Sequence, residues 1–397
     1  MSANHCPKLR PIDARPIVQR GQRALLLRDP LRLSDRSVIL PQQMAPLLVL
    51  CDGTRDVNAL RASLAVRYGL PLGERVVGQI LDALDGALLL ENQRYLDARA
   101  EALRAYRQAP YRPPALAGES YPAEADALEA LLEGYLAQEG EALPQMKGRG
   151  LVCPHIDYAR GGSVYARVCA HAATMLREAE LLIVLGTDHY GGQGNITLTR
   201  QNYATPYGLL PTPQDLVDAL VDALGEKALF AEELHHRGEH SVELAAVWLH
   251  HMRRRQPCEL LPVLCGPFGP DAPSAFAQTF VETLRKAIGQ RRTVIIAAAD
   301  LAHMGPAIGG RPHNLVEWAQ LEVDDAALIA HLCAGDARAF LEALQSTGNA
   351  RNVCGLSPIY LAMRLLEPVS GQRVAYARCP ADETRTSFVT ICGVVWR

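Results

Sequence analysis

An α/β fold is predicted, with a mostly parallel central sheet, flanking helices and a small winged-helix-like domain ahead of it. Three observations on the 397-residue sequence predict it. Four short, unbroken apolar runs follow residue 149: GLVC, ELLIVLG, ELLPVLCG and TVIIAAAD. Such runs suit strands buried on both faces. Helical stretches alternate with them, which implies parallel pairing through crossovers. The first hundred residues read instead as helix, turn, helix, strand, the order of a winged helix.

The small domain is expected over residues 1–108. Its opening, MSANHCPKLRPID, has no apolar core after a basic region, so a signal peptide is not expected. A hairpin is expected around ALLLRDPLRLSDRSVIL. DVNALRASLAVRYG places Val57, Leu60, Leu64 and Val66 near helical spacing, with Asp56 as the N-cap. GERVVGQILDALDG is the second helix, and ALLLENQRYL reads as the closing strand. That second helix carries one arginine against three acids, a poor footprint for a polyanion, so nucleic acid is not an expected partner. Docking of a peptide or a protein suits the domain better.

Residues 109–113 lie in the proline-bearing stretch RQAPYRPPALAGES and are expected to be a linker. The α/β domain is then expected over 114–397. YPAEADALEALLEGYLAQEG is a periodic helix with acids placed early, toward the positive end of its dipole. SVYARVCAHAATMLREA, SVELAAVWLHHMRRR and PSAFAQTFVETLRKAIG are the helices between the strands. QRVAYARCP and SFVTICGVVW are two strands with no helix between them, a hairpin-like addition at the sheet edge.

Composition excludes several classes. The net charge is only −3, and no apolar run approaches the roughly 18 residues of a membrane span, so no membrane partner is expected. Ten cysteines occur without a C-x-x-C pair, which suits a reducing cytoplasm better than a disulfide scaffold. There is no Walker loop and no G-x-S-x-G elbow. GGQGN is glycine-rich but lacks the dinucleotide fingerprint, so it reads as loop and no nucleotide cofactor is expected.

The chemistry collects where the buried runs end. LVC leads into His155, LLIVLG into Thr187, Asp188 and His189, and VIIAAA into Asp300 and His303. In open α/β sheets ligands sit outside the carboxyl ends of the strands, so three histidines are delivered toward one rim. His240, in GEHSVE, adds a fourth imidazole just before a helix that Ser241 can cap. In NVCGLSPIYLAMRLL, Ser357 and Pro358 read as an N-cap and first helical residue, with Cys354 three residues before the cap. A thiol near a helix N-terminus has a lowered pKa and is available as a ligand. Cys153, Cys169, Cys265, Cys333 and Cys392 lie in apolar segments and read as core. Two histidines with an anionic residue suit mononuclear non-haem iron, and a thiolate in the anionic place also favours copper or zinc. Asp300 and His303 would then act around the metal.

Six segments in this order carry a resemblance: AGESYPAEADALEALLEGYL, PHIDYARGGSVYA, IVLGTDHYGG, GEHSVELAAVWLHH, AAADLAHMG and CGLSPIYLA. Over about residues 114 to 397 the chain resembles the Memo family, also called AmmeMemoRadiSam system protein B. The resemblance implies a fold similar to class III extradiol dioxygenases. It implies that His155, His189 and Cys354 are the ligands of one iron(II) or copper ion, with cysteine where the dioxygenases use glutamate. It implies that Asp300 and His303 form the family's D-x-x-H pair, that His303 transfers protons, and that His240 lies at the pocket with them. Asp157, Tyr158, Asp188 and Tyr190 neighbour these motifs and are expected to line the substrate pocket. His-Ile-Asp-Tyr replaces the family's usual His-Ala-Gly-Tyr, and Tyr190 stands where a second histidine often follows the first. Residues 25 to 98 are faintly similar to PqqD-like peptide-binding domains, which implies docking of a peptide or of a radical SAM partner protein.

Three functions are expected from these residues. The first is an iron- or copper-dependent redox enzyme of oxygenase type. The second is a non-catalytic peptide- or protein-binding module on the same fold. The third is a metal-assisted hydrolase using His303 or Asp300 as base.

Overall fold

The computed structural model describes residues 6–139, 143–269 and 271–397, in two compact units, Met1–Gln108 and Ala109–Arg397. The first unit contains strands β1 (Asp13–Gln19), β2 (Gln22–Arg28) and β3 (Val38–Pro41). Helices α1 (Ala45–Leu50), α2 (Val57–Tyr68), α3 (Glu74–Gly86) and α4 (Gln93–Gln108) follow. The strands form an antiparallel sheet in the order β1-β2-β3, so the expected hairpin is present as β2 and β3. Asp56 caps α2 by accepting from the Ala59 amide at 2.8 Å. Leu60 and Leu64 pack with Val77, Leu81 and Leu84 of α3 in one core, while Val66 is exposed. The expected closing strand is absent: Leu90 makes only an isolated bridge to Leu9, and from Gln93 the chain is helical. Its helix-favouring Gln, Arg, Leu, Ala and Glu residues outweigh the short apolar run before them.

The second unit begins with α5 (Ala125–Gln138), β4 (Gly150–Cys153), α6 (Tyr158–His171), α7 (Ala173–Glu178) and β5 (Leu181–Thr187). Then come β6 (Ile196–Thr197), β7 (Tyr203–Thr205), β8 (Gly208–Leu210), α8 (Gln214–Leu224), α9 (Glu226–Leu229) and α10 (Ser241–Met252). β9 (Glu259–Cys265), α11 (Ala275–Ile288), β10 (Thr293–Ala298) and β11 (His303–Met304) come next. The unit ends with α12 (Leu315–Ala334), α13 (Ala337–Gln345), α14 (Leu356–Leu366), β12 (Gly371–Pro380) and β13 (Phe388–Trp396).

The main sheet runs β11-β13-β4-β10-β5-β9-β6, with β12 paired to β13. Its centre, β4, β10, β5 and β9, is parallel in register, as the four apolar runs predict. β12 and β13 are antiparallel to each other, and β13 joins β4 antiparallel. Each residue of β5 is buried, because helices cover both faces. Of the five cysteines read as core, Cys153, Cys169, Cys265 and Cys392 are buried and Cys333 is half-buried.

Residues 109–113 are not a free linker. Arg112 is fully buried, its amide donates to Asn202 O at 2.8 Å, and its carbonyl accepts from the Ala204 amide at 3.0 Å. Its guanidinium pairs with buried Glu243 and donates to His236 O at 2.7 Å and Glu239 O at 3.1 Å. A buried carboxylate needs such a partner, which is why this segment is pinned.

Candidate metal centre

β4, β5 and β10 end side by side, so the residues just beyond each strand are brought to one rim. His155 lies just beyond β4. Its amide donates to Asp300 Oδ1 at 2.9 Å, and its Nδ1 lies 2.9 Å from Ala298 O. A carbonyl only accepts, so Nδ1 carries a hydrogen and Nε2 is the nitrogen turned toward the cluster. His189 lies just beyond β5, with Nδ1 3.1 and 3.0 Å from the two oxygens of Glu239. His240 precedes α10, with Nδ1 3.1 Å from Glu239 Oε1. The three imidazoles present ligand nitrogens that all lie within 4.8 Å of one another. His189 and His240 stack at 4.6 Å between ring centroids, and both meet His155 edge-on at 5.1 and 5.4 Å.

Cys354 closes the group. Its Sγ lies 3.4 Å from His155 Nε2. Thr187 Oγ1 donates to Cys354 O at 3.1 Å, and the Gly355 amide donates to Asp300 O at 3.1 Å, tying the thiol's loop to the ends of β5 and β10. A Cβ at position 355 would meet Asp300 O at 2.5 Å, so only glycine permits this approach. Burial alone would raise the Cys354 thiol. The imidazoles of His155 and His303, with hydrogen bonds from His155 and His189, hold it well below the usual thiol range instead. Burial would lower His155, yet Asp300 and Cys354 raise it to about 9. The metal-free pair is therefore a thiolate beside an imidazolium.

Glu239, which motif reading passes over, organises this group. It is buried and accepts from the amides of His189 at 3.1 Å, His240 at 2.7 Å and Ser241 at 3.0 Å. Burial would raise its pKa, but the imidazoles of His189 and His240 hold it well below the usual carboxylate range. A carboxylate one residue before a histidine and two before a helix is a recognisable signal for such a cap. Ser241, expected to cap α10, donates to Thr187 O at 2.7 Å, and Glu239 occupies the amides instead. Ser357 likewise lies inside α14, whose N-cap is Gly355.

The remaining predicted residues are distributed differently. Asp300 is buried at the centre, with Oδ2 3.7 Å from His155 Nε2. His303 begins β11, with Nδ1 3.2 Å from Leu301 O. Asp157 caps α6 through the Arg160 amide at 3.1 Å and pairs with the Arg160 guanidinium at 2.7 Å. Tyr158 is a core residue: its hydroxyl donates to Leu244 O at 2.7 Å and its ring packs on Tyr121, Tyr165 and Trp248. Asp188 is buried and turned to His235 rather than to the His155 group, and Tyr190 is exposed.

The donor set fits a transition metal of intermediate or soft character. Two imidazole Nε2 atoms are freed by the ties on Nδ1, and a sulfur is already held as thiolate. His189 and His240 keep 29% and 38% of their side chains exposed, so the group opens on that side.

Residues 112–394 match the family described as Memo-like protein. A MEMO1 family protein of Aquifex aeolicus is 26% identical over 308 residues, covering 78% of each chain. One of Thermus thermophilus is 26% identical over 328 residues, 81% of this chain and 93% of its own. One of Methanosarcina acetivorans is 28% identical over 262 residues, 66% and 88% respectively. With its family signature spanning residues 112–394, nearly all of the α/β unit that carries the histidine and thiol cluster, the chain belongs to the Memo-like proteins.

Proposed function

We propose that this protein is a metal-dependent redox enzyme of oxygenase type, with one iron(II) or copper ion held by His155, His189 and Cys354. The observation that carries the reading is the thiol: Cys354 Sγ is 3.4 Å from His155 Nε2 and is held as thiolate. A low-pKa thiolate is a poor ligand for hard, hydrolytic cations and a good one for copper or iron. The bound ion would supply Lewis acidity and one-electron chemistry at the open rim. Glu239 and Ala298 O keep the imidazoles oriented with Nε2 inward. His303 has its Nδ1 beside a carbonyl, leaving Nε2 to give or take a proton from substrate. Asp300 fixes the His155 backbone through its amide.

The reading extends to the small unit, which we assign to docking of a peptide or a radical SAM partner protein in the cytoplasm. Exposed Val49, Val66 and Val76 support a protein-facing surface, and α3 lacks the basic face a nucleic acid needs. No helix among the described residues is long and apolar enough to cross a membrane.

The test is oxygen uptake by the metal-free chain after anaerobic loading with iron(II) or copper(I), with the Cys354→Ala and His303→Ala variants alongside. Uptake that requires metal and Cys354, and falls by about 10²–10⁴-fold in His303→Ala, is expected. Absence of uptake, with peptide affinity unchanged in Cys354→Ala, would instead favour a binding module on this fold.

A further inference from the structure

A second group of ligating side chains lies outside the thiolate centre. Asp188, Glu232 and His235 each offer a ligand atom, and these atoms lie within 4.8 Å of one another. They come from two segments, the end of β5 and the 3-10 turn around Glu233–Arg237. Asp188 is 2% exposed, and Glu232 and His235 are half-buried.

Three N–H groups among the described residues reach the two carboxylates. Asp188 Oδ1 and Oδ2 lie 3.0 and 2.9 Å from His235 Nδ1, and the Tyr190 amide donates to Oδ1 at 3.2 Å. Both Glu232 oxygens share the Gly192 amide, at 3.0 and 3.1 Å. Two carboxylates offer roughly eight lone-pair sites, more than these three N–H groups can fill by themselves. A third carboxylate, Glu239, has its own oxygens taken up by His189 and His240.

The loop GGQGN closes over the group. A Cβ at position 191 would lie 2.7 Å from Asp188 Cγ, and one at position 192 would lie 3.1 Å from Glu232 Oε1. Glycine at both positions lets the backbone rest directly on the two carboxylates. This gives a role to a glycine-rich stretch that the thiolate centre does not use.

We propose that Asp188, Glu232 and His235 form a second cation site, for a divalent ion that accepts mixed carboxylate and imidazole ligands, such as manganese(II). Two oxygens and one nitrogen suit that class and disfavour copper(I). Binding replaces the hydrogen that His235 Nδ1 shares with Asp188 by the cation; that hydrogen moves to Nε2 of a neutral ring or leaves as a proton from a charged one. The site does not rest on the thiolate centre, and it takes a different metal.

The experiment is titration of the metal-free full chain with manganese(II), followed by the electron paramagnetic resonance of the free ion, with copper(I) titrated in parallel. One manganese(II) site is expected in the wild type and in Cys354→Ala. Glu232→Gln and His235→Gln, both on a segment separate from His189, are expected to lose at least about tenfold in manganese(II) affinity and to bind copper(I) as wild type does. No manganese(II) binding by the wild type would overturn the proposal, leaving His235 and Asp188 as an ion pair only. Equal affinity in both variants would overturn it too. So would joint loss of manganese(II) and copper(I) in both variants, which would mean one shared site.

Discussion

Glu239 does at the scale of one residue what a ligand count overlooks. Its two oxygens hold His189 and His240 by Nδ1, cap the helix through the His240 and Ser241 amides, and accept from the His189 amide. Glu239→Ala is expected to weaken binding of the first metal by about 10–100-fold, measured by competition with a chromogenic chelator. Glu239→Gln should recover part of the loss, because its amide oxygen still accepts from one imidazole. Wild-type affinity in Glu239→Ala would contradict this role. The meeting of His155 and His189 at one rim is legible in the sequence because each lies just beyond a buried run, whereas their proposed role as ligands with Cys354 rests on the family resemblance. The Glu239–His189 and Asp188–His235 pairs are not, since they join positions 50 and 47 residues apart and depend on how a surface turn folds back.

At the scale of elements, hydrophobic pattern places the central strands and most helices, and local hydrogen bonding decides their ends. Ser241 has the residue type of a cap, but its hydroxyl is drawn to Thr187 O, and a carboxylate two residues earlier takes the amides. The proline-bearing segment has the composition of a linker, but periodicity says nothing about a lone arginine whose partner lies 131 residues away. Arg112 fills that role by pairing with Glu243, which also accepts from the Ala115 and Leu116 amides at 2.8 Å. Arg112→Ala leaves a buried carboxylate unpaired and is expected to destabilise the second unit by about 3–5 kcal/mol in urea melts. Arg112→Met combined with Glu243→Gln should recover much of that loss. A single variant as stable as wild type would contradict the buried-pair account.

The two compact units make a prediction for the whole molecule. A chain beginning at residue 109 is expected to fold and bind its metal, whereas one beginning at residue 114 lacks Arg112 and should melt lower. Equal melting temperatures would contradict the assignment of residues 109–113 to the second unit. Two buried histidines contribute to the dependence of stability on acid. Burial lowers His236 to about 3 and His250 to about 4, from 6.5. Unfolding exposes both, so the unfolded chain binds more protons as the pH falls. The stability they contribute is whole above about 6.5 and declines toward their folded values, by about 1.4 kcal/mol per pH unit for each. His250→Gln should therefore flatten the fall in urea midpoint between pH 6.5 and 4. A slope identical to wild type would contradict it.

The central claim is that Cys354 is a metal ligand alongside His155 and His189. Cobalt(II) added to the metal-free protein tests it directly, because a thiolate bound to cobalt gives an intense near-ultraviolet charge-transfer band. The account predicts that band in the wild type and in His303→Ala, and its loss in Cys354→Ser. A band that survives in Cys354→Ser, or is absent from the wild type while cobalt still binds, would contradict it.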